Sequence, residues 1–289
     1  MDRETELAIV RRAYAKQVMA EFGVVDPRVE AAFAAVRRED FLGPGPWPVP
    51  RLWRGYVPTP SDDPVYLYAD RLIGIIPERS LNNGQPSFLA KLIAAAAPQS
   101  HEHAVHIGAG VGYYTAIIAR LVGRSGRVTA IEFDAGLAQR LAANFAGQRN
   151  VRVVEGDGSQ VAFDPADVIL VNAGATRPAD AWLDRLRDGG RLILPLTTDE
   201  GHRAREPEQI ARRGAVFRIE RRGGEFLAER ISGVAIFPCE GARDPESERA
   251  LVVALEKGGW ERVTRLYRHG DVAEEQCWLR APGWALTYA

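Results

Sequence analysis

Apolar residues recur at helical steps in the first part of the chain and as short strand-length runs through its middle. Leu7, Val10, Tyr14, Val18 and Phe22 are three and four residues apart and predict a helix over residues 2–22. Asp26-Pro27 has the form of an N-cap followed by proline at the first helical position, which predicts a second helix to about Arg38. Between Gly43 and Pro64, prolines crowd together with Trp47, Trp53 and Tyr56. This predicts a long loop whose aromatics either cover the core or line a pocket. A polar, turn-rich stretch from Ser80 to Ser87 then leads into a helix from about Pro86 to Ala96.

From residue 104 onward the pattern alternates. Apolar runs at 104–107, 128–132, 151–155, 168–171 and 191–194 predict strands, with helical patterns between them near 113–122, 135–146 and 179–187. Strands separated by helices require crossovers and hence a parallel sheet. The predicted fold is therefore α/β, a doubly wound, mostly parallel sheet of the seven-stranded, Rossmann-like type, with N-terminal helices and a C-terminal extension. Residues 216–220 and 226–237 flank Arg221-Arg222-Gly223-Gly224 and predict a β-hairpin forming an antiparallel edge. Past Cys239 a helical segment near 246–257 and apolar pieces at 263–267 and 277–279 complete the chain.

The sheet carries one distinctive feature. Gly108, Gly110 and Gly112 follow the strand Val105-His106-Ile107, and the next strand ends in Ile131-Glu132-Phe133-Asp134. Glycines let backbone approach a nucleoside, and a carboxylate at the end of the next strand can grip ribose hydroxyls. The spacing is G-x-G-x-G and not the G-x-G-x-x-G of a pyrophosphate cradle. S-adenosylmethionine has no pyrophosphate, so the spacing favours a methyltransferase over a dehydrogenase. Later strand ends add Gly156-Asp157-Gly158, where Asp157 can accept from an exocyclic amine, and Asn172-Ala173-Gly174. The expected cofactor-binding set is Gly108, Ala109, Gly110, Gly112, Tyr113, Glu132, Asp157, Gly158 and Asn172. Three regions follow: 1–98 with N-terminal helices and substrate-side loops, 99–240 binding S-adenosylmethionine, and 241–289 as an extension.

Composition narrows the alternatives. A net charge of -1 leaves no basic excess for a nucleic-acid partner. The basic runs Arg203 to Arg213 and Arg218 to Arg222 read as solvated faces or turns. No apolar run is long enough to span a bilayer, the N-terminus lacks a secretion signal, and Cys239 and Cys277 imply no disulfide framework. A cytoplasmic location is expected. His101, Glu102, His103 and His106 bring metal ligands to mind, but no further cluster completes a site, and no metal is expected. Ser80, Ser87 and Ser159 lie outside any G-x-S-x-G elbow, which disfavours nucleophilic hydrolysis.

Over roughly residues 10–240 the chain resembles the protein-L-isoaspartate O-methyltransferase family. The carriers are Asp26-Pro27-Arg28-Val29, Val36-Arg37-Arg38-Glu39-Asp40-Phe41, Tyr68-Ala69-Asp70-Arg71, Gln85-Pro86, and Arg191-Leu192-Ile193-Leu194-Pro195-Leu196 after Asp188-Gly189-Gly190. The resemblance implies carboxyl O-methylation of isoaspartyl residues, with Gly108, Ala109, Gly110, Glu132, Asp157 and Gly158 contacting S-adenosylmethionine. Two positions depart from the family pattern. The family's T-I-S-Q-P, whose serine sits beside the transferred methyl, reads Asn82-Asn83-Gly84-Gln85-Pro86 here. The family's acidic residue two positions before the first motif glycine is His106. Asn82, Asn83 and Ser87 are the catalytic candidates that can replace the missing hydroxyl. A methyltransferase acting on another peptide or small-molecule acceptor, or a non-catalytic nucleoside-binding relative, remains open at this stage.

Overall fold

The computed structural model describes residues 2–51, 53–199, 214–269 and 272–288; the basic run from Arg203 to Arg213 lies outside them. The helical periodicity at the start of the chain yields two helices that pack together. In α1 (Arg3–Glu21) the Asp2 carboxylate accepts the Thr5 amide, and Leu7, Tyr14, Val18 and Met19 are buried. In α2 (Pro27–Ala35) Asp26 accepts the Arg28 amide and proline occupies the first turn. The second helix stops short of Arg38 because Val36 is already extended and Arg38 turns inward to complete burial. There its guanidinium donates to the carbonyls of Leu67 (2.5 Å), Ala69 (3.2 Å) and Arg71 (2.9 Å) and lies over the rings of Tyr14 and Tyr113.

After α3 (Glu39–Leu42), the expected loop is in fact a hairpin of β1 (Pro48–Arg51) and β2 (Gly55–Pro58). Its prolines are tolerated because each strand of a two-stranded ribbon has an edge that needs no donors. Trp47 is buried with its indole N–H on the Gly43 carbonyl (2.9 Å), while Trp53 projects into solvent. A second ribbon, β3 (Gly74–Ile76) and β4 (Leu81–Asn82), is joined by the tight turn Pro77–Arg79. It delivers the chain to α4 (Pro86–Ala96).

The alternating middle of the chain folds as its periodicity indicates, into β5 (His103–Ile107), α5 (Tyr113–Val122), β6 (Arg127–Glu132), α6 (Ala135–Asn144), β7 (Val151–Glu155), β8 (Ala166–Val171), α7 (Asp180–Arg185) and β9 (Leu186–Thr197). These strands pair in parallel in the order β7-β6-β5-β8-β9. The hairpin β10 (Gly214–Arg222) and β11 (Glu225–Gly233) adds antiparallel to β9. It is not the edge. The extension forms α8 (Pro245–Lys257), then β12 (Arg265–Arg268), β13 (Cys277–Ala281) and β14 (Trp284–Thr287), which continue the sheet as β11-β12-β14-β13. The seven-strand pattern thus becomes ten, and the tail covers what would be an open strand edge.

Helices on both faces explain why the parallel strands are apolar throughout. Ala104, Val128 and Leu170 pack with α1, α2, α4, α5 and α6, whereas Val105, Ile131 and Ile169 pack with Trp182 of α7 and Leu251 and Leu255 of α8. Arg191 of β9 ties one face to the sheet. It donates to Ala96 and Ala97 carbonyls at the end of α4 (3.0 and 2.6 Å) and pairs with both oxygens of Glu102 (2.8 and 2.9 Å). Arg191→Met should cost about 2–3 kcal/mol of stability, since it orphans a largely buried carboxylate and two helix-terminal carbonyls. Urea denaturation measures this, and a loss below about 0.5 kcal/mol, the range of an ordinary surface substitution, refutes the assigned role.

Candidate active site

The order of the parallel strands reverses between β5 and β8, the place where open α/β sheets bind ligands. A cavity enclosing about 1070 Å³, open mouth included, lies there. All nine residues of the expected cofactor set line it: Gly108, Ala109, Gly110, Gly112 and Tyr113 after β5, Glu132 at the end of β6, Asp157 and Gly158 after β7, and Asn172 after β8.

The loop after β5 is built to turn. Its three glycines have φ of 71°, 56° and 98°, a region that side chains disfavour. The loop is held from both neighbouring strands. Gly108 and Ala109 amides donate to the Ile131 carbonyl (2.9 and 3.2 Å), and the Asn172 side chain donates to the Gly108 carbonyl (3.3 Å). Glu132 closes it, with one carboxylate oxygen accepting the Gly110 amide (2.7 Å) and the other the Asp134 amide (3.1 Å). Burial pushes the Glu132 carboxyl above its usual range, opposed by those backbone donors. Each oxygen keeps a second lone pair for a ribose hydroxyl.

Asp157 uses one oxygen for the Ser159 amide and hydroxyl, both at 2.8 Å. Gly158 is supported from behind by the Trp182 indole, which donates to its carbonyl (2.8 Å). Tyr113 presents its ring, since its buried hydroxyl is 3.4 Å from that of Tyr14.

The catalytic candidates divide. Asn82 and Asn83 line the cavity; Asn82 accepts the Gly84 amide and donates to Ser80, and Asn83 accepts the Ile73 amide while its own amide nitrogen is buried without a partner among the described residues. Ser87 does not line the cavity. It is fully buried, and its hydroxyl and amide both go to Asp70 (2.6 and 2.8 Å), which thereby caps α4 from a distant loop. Gly84 has φ +75°, and a Cβ there would meet Leu89 Cδ2 at 3.0 Å.

Several cavity residues escape sequence reasoning. Arg79 reaches across the mouth to Asp134 (2.5 Å) from the turn between β3 and β4. Phe133 and Asp134 were legible only as neighbours of Glu132. The segment Phe237 to Gly241, expected in part as strand, leaves the sheet after Gly233 and crosses the end of β8, where the Gly174 amide donates to Phe237 (2.6 Å) and the Cys239 amide to Gly174 (2.8 Å). A Cβ on Gly241 would lie 2.0 Å from the Asp157 carboxylate, so only glycine permits this approach. Trp47, Trp53 and Tyr56 are not among the lining residues.

The histidines serve the sheet. His103 contacts the Pro165 carbonyl and the Thr129 hydroxyl, and fully buried His106 contacts the Thr115 hydroxyl (2.8 Å). Burial drops the His106 imidazole to about 4. The unfolded chain takes up this proton near 6.5 and the folded chain resists it, so stability falls as pH drops from 6.5 toward 4, by about 3 kcal/mol in all. Urea denaturation at either end of that window should show a smaller pH dependence in His106→Gln. An equal pH dependence in both proteins contradicts a neutral buried imidazole.

The profile of the protein-L-isoaspartate(D-aspartate) O-methyltransferase family matches residues 54–222. A protein-L-isoaspartate O-methyltransferase of Rhodopseudomonas palustris is 32% identical over 248 residues, 84% of this chain and 99% of that protein. One from Methanoregula boonei is 32% identical over 235 residues, covering 80% and 93%. Among solved structures, a protein-L-isoaspartate O-methyltransferase superposes with a TM-score of 0.63 at 24% identity, covering 80% of this chain and 66% of that one. A Plasmodium falciparum structure described as a protein-L-isoaspartate O-methyltransferase bound to S-adenosyl-L-homocysteine gives 0.59 at 16% identity, covering 80% and 98%. Matched in sequence along most of its length and in the arrangement of its sheet, the chain belongs to the protein-L-isoaspartate(D-aspartate) O-methyltransferase family.

Proposed function

We propose that this protein transfers a methyl group from S-adenosylmethionine to the free carboxylate of isoaspartyl residues in peptides or proteins. The observation that carries the reading is the convergence of all nine expected cofactor residues on one cavity at the strand switch point. Charge supports it as well. The lining holds the carboxylates of Glu132, Asp134, Asp157 and Glu240 against the Arg79 guanidinium, a field that suits a ligand with net positive charge. A dinucleotide, with two phosphates, would meet the opposite.

In this assignment the glycine loop lies against the methionine portion, Glu132 accepts from the ribose hydroxyls, and the second oxygen of Asp157 accepts from the adenine amine. When bound, S-adenosylmethionine supplies a sulfonium methyl that a carboxylate oxygen takes up as the C–S bond breaks and its electron pair returns to sulfur. The attacking carboxylate is already ionised, so the protein needs no general base and contributes orientation and exclusion of water. That explains why a site without a hydroxyl at position 84 can still work.

S-adenosylhomocysteine should release heat on binding in calorimetry and NAD should not; the reverse result refutes the reading. Wild-type protein should methylate an isoaspartyl peptide and spare its aspartyl counterpart, and tight cofactor binding without isoaspartyl turnover would redirect the assignment to another acceptor.

Glu132→Ala should weaken S-adenosylhomocysteine binding by about 1.5–3 kcal/mol. It should also lower the melting temperature, because the Gly110 and Asp134 amides lose their acceptor. An unchanged dissociation constant in the folded variant removes Glu132 from the ligand. Gly84→Ser should not raise turnover, since it places a side chain at φ +75° against Leu89, at a cost of about 1–3 kcal/mol in stability. Increased isoaspartyl turnover would show that the loop accepts serine.

A further inference from the structure

We propose that Arg79 is the residue that binds the acceptor's carboxylate, and that it exchanges its present partner, Asp134, for that carboxylate when the acceptor enters. The inference deepens the proposed function and rests on it. The cavity is a poor place for an anion: four of its lining side chains are carboxylates. An acceptor with a free carboxylate needs a donor to offset that field, and Gly84 supplies no side chain for it.

Most other polar groups of the strap are committed, and the exception, the buried and unpartnered Asn83 amide nitrogen, is a neutral donor that brings no charge against that field. Both ends of the Asn82 amide bond within the strap, the Asn83 carbonyl oxygen holds the Ile73 amide, and the Ser87 hydroxyl is spent on Asp70. Arg79 is the one cationic side chain among the described lining residues. It sits on the turn between β3 and β4, and its side chain is 54% exposed. A guanidinium has a planar fork that matches a carboxylate in bidentate fashion.

The present pairing is suited to exchange. One guanidinium nitrogen contacts one oxygen of Asp134, and exposed pairs of this kind are worth little net energy. Asp134 does not depend on the pair for its position, because its other oxygen caps α6 by accepting the Leu137 amide (2.9 Å). Asp134 therefore neutralises Arg79 in the free protein and can let go of it without unravelling the helix. Bidentate contact with an incoming carboxylate would replace a single hydrogen bond with two.

The test uses the full chain loaded with S-adenosylhomocysteine and titrated calorimetrically with two peptides. One carries isoaspartate, and the other carries the same residue with its free carboxylate converted to an amide. Arg79→Gln should weaken binding of the acid peptide by about 10-fold or more, the scale of a lost charge-assisted hydrogen bond. It should leave the amide peptide and the affinity for S-adenosylhomocysteine unchanged, and Arg79→Lys should restore part of the loss.

Asp134→Asn keeps the helix cap and frees Arg79, so it should tighten acid-peptide binding. Turnover assays should show the same effects mainly in KM. Equal weakening by Arg79→Gln and Asp134→Asn would reduce the pair to a structural latch, and an acid-peptide affinity indifferent to Arg79→Gln would overturn the proposal outright. Either result, with wild-type isoaspartyl turnover intact, leaves the function standing. Absence of that turnover in wild type overturns both.

Discussion

The site is organised around the carboxylate of Glu132. It stands at the end of β6, buried, and takes an amide from the glycine loop on one oxygen and an amide from the start of the next helix on the other. Two strand ends that share no local sequence are thereby locked in one geometry. A carboxylate placed there without those donors would suffer an uncompensated desolvation penalty. The same buried carboxylate lines the cavity, so the group that shapes the loop also contributes to the cavity's negative field.

The strap from Asn82 to Gly84 is held by a second chain of dependence that begins far away in sequence. Buried Arg38 gathers the carbonyls of Leu67, Ala69 and Arg71. This fixes the loop containing Asp70, whose carboxylate caps the first turn of α4 through Ser87 and Gln85. Asn82, Asn83 and Gly84 are consequently held between that helix and β3. The Asn82 amide and the Asn83 carbonyl oxygen bond within this strap, which holds its shape without a side chain at position 84.

The extension changes the sheet and the cavity together. Its strands cover the β11 edge, α8 covers one face, and the connecting segment from Phe237 to Gly241 lies against Asp157. This end of the cavity is therefore bounded by residues that follow β7 and β8 and by a segment that follows the last strand of the hairpin.

The sequence by itself determined the alternating strands and helices, because burial on both faces or one face imposes a period that can be read residue by residue. It also determined which strand ends line the cavity, since G-x-G-x-G, Glu132, Asp157 and Asn172 each sit at the end of a recognisable strand, and fold topology brings such ends together. Tertiary structure alone decided the rest. Helix α2 stops before Arg38 because distant carbonyls compete for that side chain, a contact with no local signature. Ser87 is withdrawn from the cavity by Asp70, and the prolines near Trp47 form a hairpin because its open edges tolerate them. Arg79 and Gly241 reach the cavity only through the meeting of loops remote in sequence, and periodicity carries no information about side chains that meet across such distances.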